Sequence, residues 1–327
     1  MATTTHTDLQ INEDHFYSGL FEEMEQNIES LAAGSRGAIL VNDERIKGDY
    51  GYESFFTAIS SMVERRVVDT VSAGTATQAL EKEYVSVKVN RRTQIEWSLD
   101  GFKKKQLDPM GFSFALGQEF QKRKMQEMVN LGLTACATAL ESQAALTQDS
   151  SSASITHSLI NKAFAKRGDK AGEIVSVAMH SVPYFDLITQ ALTDKVPSDI
   201  GGGAIAVGSV PIFGRAALVS DSAALTDANG SAADTYNSLG LVPGAIQISQ
   251  SEPETIVGAD LVTGLHNLVY RFQAEWAYNV KIKGFQWDVG NGGANPTDAN
   301  VGTTTNWDQI DTSDKTLAGV LLVNKAA

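Results

Sequence analysis

Between Leu268 and Ile282 the chain reads LVYRFQAEWAYNVKI, an alternation longer than ordinary strands carry. Leu268, Tyr270, Phe272, Ala274, Trp276, Tyr278, Val280 and Ile282 fall on one side. Arg271, Gln273, Glu275, Asn279 and Lys281 fall on the other, with Val269 and Ala277 off the pattern. Strand side chains alternate between faces, so this pattern predicts one half-buried strand. At ~3.3 Å per residue it reaches roughly 50 Å, whereas globular strands span about 3–10 residues. A beam of that length suits a large assembly better than the wall of a compact enzyme. The phase slips at Gly284, which puts Phe285 and Trp287 at odd positions and predicts a bulge. Two shorter strands with a bend between them are the alternative.

The 327 residues can bury a real core. No apolar run approaches the ~18 residues that a membrane span needs, and the N-terminus lacks the basic-then-apolar form of a secretory signal. Cys136 is the single cysteine, so intrachain disulfides and cysteine zinc cages are excluded; the expectation is a buried thiol in a protein made in a reducing cytosol. The formal charge of -13 excludes grip on nucleic acid by counterion release. It suits a wall that lines a nucleic-acid compartment without sticking to it.

Charge is segregated along the chain. Residues 1–35 contain no Lys or Arg but carry Asp8, Glu13, Asp14, Glu22, Glu23, Glu25 and Glu29. Tyr17, Leu20, Phe21, Met24, Ile28 and Leu31 share one helical face there, giving an acidic amphipathic arm. A second helix is expected at 52–68, with an irregular segment before it. EYVSVKV and QIEWSL then alternate around Asn90-Arg91-Arg92-Thr93, which reads as a β-hairpin with one apolar face and a basic rim. Asp108-Pro109 starts a long helix running to about Leu146, with Gly117 and Gly132 as possible breaks. Residues 147–157 read as a polar connector. Helix and strand patterns then alternate to about residue 260, as in an α/β domain. After the long strand come a loop rich in Gly, Asn, Asp and Thr and a last buried strand, AGVLLV.

No motif reaches the standard of an active site. The five histidines form no metal-ligand pair. His180, Ser181 and Asp186 could be imagined as a triad, but Ser181 is better placed as a helix N-cap and no nucleophile elbow surrounds it. Gly201-Gly202-Gly203 lacks the dinucleotide spacing, and the 288–298 loop misses calcium-loop spacing. No catalytic residue, cofactor or metal is expected.

Several stretches resemble one subgroup of tailed-bacteriophage major capsid proteins of the Hong Kong 97-type fold. They are ERRVVDT, VNRRTQIEWSLDGF, RGDKAGEIVSVAMHSVPYFDLITQALTD, GRAALVSDSAAL, YNSLGLVPGAIQI and QAEWAYNVKIKGFQWDVGNGGANPTDANVGTTTNWDQIDTSDKTLAGVLLV. The resemblance implies an α+β fold with an N-terminal arm at 1–79 and an extended β-hairpin loop at 80–107. A peripheral domain with a spine helix and the long strand is implied at 108–148 and 261–296, and an axial domain at 149–260 and 297–327. It implies a structural protein of the virion, made in the host bacterial cytoplasm, that assembles with itself into hexamers and pentamers around double-stranded DNA. Portal and scaffolding proteins, the latter a separate chain, and cement proteins are the implied outside partners, with no membrane. Arg91, Arg92, Trp97, Lys103, Lys104 and Lys105 are the expected intersubunit contacts. The rival readings are a cellular nanocompartment shell on the same fold and an α/β hydrolase-like enzyme at Ser181 and His180.

Overall fold

A computed structural model describes residues 16–18, 20, 31, 33–42, 46, 48–56, 68, 81–98, 109–195, 214–227, 235–250, 256–263, 268–311 and 313–326. Two six-stranded sheets carry most of the described strands. The first joins β1 (Ile39–Asn42), β2 (Tyr50–Phe56), β3 (Glu81–Ser98), β9 (Ile246–Gln250), β10 (Ile256–Val262) and β11 (Val269–Ile282), in the order β1-β9-β11-β3-β2 with β10 beside β11. The second joins β4 (Thr147–Ser154), β5 (Ser176–Met179), β6 (Ala216–Val219), β7 (Thr226–Asp227), β8 (Thr235–Leu241) and β14 (Gly319–Lys325), in the order β4-β14-β8-β5-β6 with β7 beside β8.

The long strand forms as its alternation predicts. In β11 the even residues from Tyr270 to Ile282 are all buried. It ends at Ile282 because Gly284 takes φ +82, a left-handed turn that side chains resist. The phase slip is therefore a change of sheet rather than a bulge. Beyond it, β12 (Phe285–Trp287) pairs with β13 (Trp307–Gln309) in a separate two-stranded ribbon.

The hairpin expected at 80–107 is not formed by the described residues: β3 is one unbroken 18-residue strand. Asn90 to Thr93 lie mid-strand, opposite Ala277 to Ala274 of β11. The polar run does not break phase. Val87, Val89, Arg91, Thr93, Ile95 and Trp97 all share the β11 face of Val280, Tyr278, Trp276, Ala274, Phe272 and Tyr270. Polarity at 90–93 imitated a turn, while continuous cross-strand pairing decides the geometry. The antiparallel partner of β3's first half is β2, paired from Tyr50↔Val87 to Phe56↔Glu81. Residues 52–56 are thus strand where a helix was expected; the rest of that stretch, Val68 apart, lies outside the described residues.

Helix α1 (Pro109–Glu141) runs 33 residues without a break. Its two suspect glycines are points of close approach. A Cβ on Gly132 would lie 2.9 Å from Ile246 Cγ2, and one on Gly117 would lie 2.3 Å from the Phe16 carbonyl oxygen. The helix packs on β9 and β11 of the first sheet and on β14 of the second, which explains why residues 131–140 are buried almost throughout. The arm is seated here too. Phe16 is fully buried, with ring centroids 5.4 Å from Phe272 and 5.9 Å from Phe120.

Other assignments shift. The supposed connector at 147–154 is β4, an edge strand parallel to β14 whose serines hide it from any apolar pattern. β9 and β10, expected in the axial domain, pair with β11 in the first sheet. β1, inside the expected arm, pairs in parallel with β9. Helices α2 (His157–Ala165) and α3 (Ser181–Lys195) form as read, and α2 packs on β14 and β4 of the second sheet.

Candidate assembly surface

Three of the six expected contact residues are described, and the structure does not gather them on one surface. Arg91 points to the α1 side of β3. Its Nε donates to Glu127 Oε1 at 2.8 Å, and its Nη2 donates to Asp298. Tyr278 Oη donates to the same Glu127 oxygen at 2.6 Å. One guanidinium thus ties β3, α1, β11 and α5 (Asp298–Val301), which follows the one-turn α4 (Val289–Gly292). Burial disfavours charge on Arg91, but its bond to Asp298 and the pairing with Tyr278 and Glu127 outweigh that and hold its pKa above the usual value. Burial pushes the Glu127 carboxyl up, against the pull of Tyr278 and Arg91. Burial and then the Glu127 charge raise the Tyr278 phenol. A shallow depression of about 320 Å³ lies beside this cluster, lined also by Arg123, Asn130 and Ser222. Trp97 shares the Arg91 face and is half-buried between Tyr270 and Phe112, at 5.3 and 5.5 Å between centroids. Arg92 is exposed on the opposite face, across from Glu275. Lys103, Lys104 and Lys105 lie outside the described residues.

Features that the sequence did not announce complete the surface. On the Arg92 face, Arg271 bonds Glu96 at 2.5 Å and Lys281 pairs with Glu53, with Lys281 also 4.9 Å over the Tyr84 ring. Tyr52 is 58% exposed on the edge strand β2. Its alternation was hidden because Phe55 and Phe56 also fit a helical period. Phe185 on α3 and Val219 on the edge strand β6 are further exposed apolar side chains.

The loop after β12 is a built corner. Asp288 accepts from the N–H of Gly290 and Asn291, and Thr297 accepts from Asn300, so each one-turn helix has its cap. Trp287 and Trp307 pack edge to face at 5.1 Å, and their indoles donate to the carbonyls of Gly293 and Val301. Asp288 is thereby engaged in a turn and Asp298 in its pair with Arg91, and among the described residues no group of three His, Cys, Asp or Glu could hold a metal.

The imagined triad is dismantled by geometry. His180 takes the capping role expected of Ser181: its Nδ1 accepts from Val182 N–H at 3.2 Å, and its carbonyl accepts from Tyr184 N–H at 3.3 Å. The His180 ring packs on Tyr236 at 4.9 Å, with Nε2 toward Asp221 at 3.7 Å. An imidazole whose Nδ1 is spent on a cap is not free to be oriented by a carboxylate in the manner a nucleophile's base requires. Cys136 is fully buried, and burial pushes its thiol up to about 12, so it is no nucleophile. Among the described residues no helix is long and apolar enough to cross a membrane.

A profile of the Gp13-like family, described as major capsid protein 13-like, matches residues 8–321. The chain belongs to this major capsid protein family. Among solved structures it is similar to the capsid of Ralstonia phage GP4, at 10% identity and TM-score 0.52, over 90% of this chain and 88% of that one. It is also similar to the capsid asymmetric unit of cyanophage Pam1, at 9% identity and TM-score 0.51, over 88% of each. At such identities these likenesses establish the fold, an α+β capsid fold of the Hong Kong 97 type. No curated protein matches the sequence. The capsid protein is a structural component of the virion shell rather than an enzyme, and associates with its own copies. The hydrolase reading falls with the triad.

Proposed function

We propose that this capsid protein builds an icosahedral head from hexamers and pentamers around double-stranded DNA. The first sheet and α1 act as the peripheral domain, and the second sheet with α2 and α3 as the axial domain. The observation that carries this reading is the β2–β3 pair. The β11 ladder along β3 ends at Val280↔Val87, while β2 continues along β3 to Glu81. The pair therefore extends past the end of the β11 ladder; Tyr84 and Ser86 stay buried there, and the far end, where Glu83 and Ser54 are exposed, is a two-stranded ribbon that is marginal in water unless something covers it. We assign the extended loop to this ribbon, one strand earlier than the sequence suggested. Tyr52, on the Arg91 face of the sheet, and Arg92, on the other, then offer contacts to neighbours, together with Lys103–Lys105. Arg91 and Trp97 serve that surface indirectly, by fixing β3 to its own subunit. The net charge of -13 favours enclosing DNA without gripping it. Portal, scaffolding and cement proteins are the outside partners this role calls for.

The test is electron microscopy of purified wild-type and Tyr52→Asp protein. The wild type should give closed shells, and Tyr52→Asp should give folded free subunits. Normal shells from Tyr52→Asp would remove the ribbon from the interface.

A further inference from the structure

The start of α3 carries two side chains able to cap it, one residue apart. His180 holds the cap: its Nδ1 accepts from the Val182 N–H at 3.2 Å, while its carbonyl accepts from the Tyr184 N–H at 3.3 Å. The Ser181 hydroxyl, the better cap by residue preference, has no hydrogen-bond partner among the described residues. Pro183 leaves each cap a single amide. A capping side chain bonds the N–H two or three residues further on, and proline has none. From position 180 that leaves Val182, and from position 181 it leaves Tyr184.

The His180 bond also fixes the tautomer. A backbone N–H only donates, so Nδ1 is bare and the ring proton is on Nε2, which lies toward Asp221 Oδ1 at 3.7 Å. The ring packs on Tyr236 at 4.9 Å between centroids. Asp221, in the chain after β6, and Tyr236, on β8, are the titratable groups that contact the ring among the described residues. A second proton can go only to Nδ1. There it would face the Val182 N–H, donor against donor, and its charge would lie at the positive end of α3. The cap bond does not survive protonation, whereas Asp221 offers the charged ring a carboxylate on its other side.

We propose that His180 and Ser181 form a proton-operated cap: the imidazole holds the start of α3 when neutral, and the serine hydroxyl takes the Tyr184 N–H when the ring is charged. Histidine is the side chain whose charge ordinarily changes between about pH 5 and 8, the range in which the cap responds. The handover frees the Val182 N–H and the His180 carbonyl and moves the helix start forward by one residue. Phe185, 61% exposed, stands in that first turn, so the surface it presents follows the protonation of one ring. Two caps in competition for one helix are the bistable element that a local switch needs. The device belongs to the single subunit and does not depend on the shell reading.

Amide hydrogen exchange of the full-length protein at about pH 7.5 and about pH 5, corrected for the intrinsic pH dependence of exchange, tests it. In the wild type, Val182 should lose about tenfold of its protection in acid while Tyr184 keeps its own. His180→Asn supplies a strong cap that does not titrate, and Val182 should then be equally protected at both pH values. Ser181→Ala removes the second cap, so there Tyr184 should also lose about tenfold in acid. Equal Val182 protection at both pH values in the wild type overturns the proposal, as does a His180→Asn variant that loses as much as the wild type. Tyr184 still protected in acid in Ser181→Ala overturns it too. If His180→Asn does not fold, the wild-type Val182 and Ser181→Ala measurements decide without it.

Discussion

Gly117→Ala sets two effects of opposite sign against each other. On helix propensity alone, alanine in the interior of α1 should stabilise by up to ~1 kcal/mol. The structure predicts the reverse. The added Cβ would lie 2.3 Å from the Phe16 carbonyl oxygen and 3.2 Å from the Leu20 nitrogen, both backbone atoms that no rotamer change can move away. The arm must lift by about an ångström for the contact to become ordinary. Phe16 is fully buried and Leu20 is 4% exposed. Burial of two such side chains is worth about 3–6 kcal/mol gross, against about 1–2 kcal/mol for each backbone residue that docking orders. A balance that narrow does not survive a shift of the interface, so the arm is expected to come away and the subunit to gain no stability from the alanine, the loss staying below that gross figure. Denaturant titration of the free subunit measures it, and trace proteolysis N-terminal to Ser35 reports whether the arm has come away. A variant about 1 kcal/mol more stable than wild type, with its arm still protected, would falsify the packing argument.

Arg91→Ala should cost about 1–3 kcal/mol after allowing for partial exposure, because it leaves Glu127 half-buried without its cation. Arg92→Ala on the opposite face should stay within ~0.5 kcal/mol, and equal urea midpoints for the two would contradict the cluster. Trp97→Asp should destabilise the free subunit by about 2–4 kcal/mol through lost packing on Tyr270 and Phe112; a wild-type melting temperature would show that the contacts carry no stability. Cys136 should react with thiol reagents only on unfolding. Its folded pKa of about 12 exceeds that of an unfolded thiol near 8.5, so this contribution is intact below pH ~8.5 and lost as pH rises toward 12. Cys136→Ala should reduce the alkaline fall in denaturation midpoint, and a wild-type midpoint that rises with pH would contradict the sign.

The elements legible in sequence are those in which one period dominates. β11, α1 and β5 each carry a pattern that nothing competes with, and the structure contains them. The misses occur where local polarity and tertiary pairing disagree. Arg91 looked like turn chemistry but sits on an inward face, because Glu127 and Asp298 wait there to neutralise it. TQDSSSAS has no apolar alternation at all; its strand exists because β14 supplies a parallel edge. At 50–56 the aromatic residues satisfied both helical and strand periods, and pairing with β3 decided between them. His180 displaced Ser181 as the cap because an imidazole nitrogen can accept an N–H bond as a hydroxyl can, an option that residue preferences rank low. Among the three described contact residues only Arg92 is exposed, since a residue's face depends on the phase of the whole strand.

The partnership of β3 with β11 also sets a schedule for synthesis. Glu96 and Arg271, bonded across the pair, are 175 residues apart in sequence. At about 5–20 residues per second, a ribosome takes roughly 10–35 s to travel between them. During that interval β3 has emerged with an apolar face and no ladder on its β11 side, and α1 is a long element made soon after it that can shelter it. Contacts so distant in sequence fold slowly, so nascent chains of this protein pass through a prolonged stage with an unsatisfied strand. Crowded polysomes, rather than finished subunits, are where wrong pairing between copies has its longest opportunity.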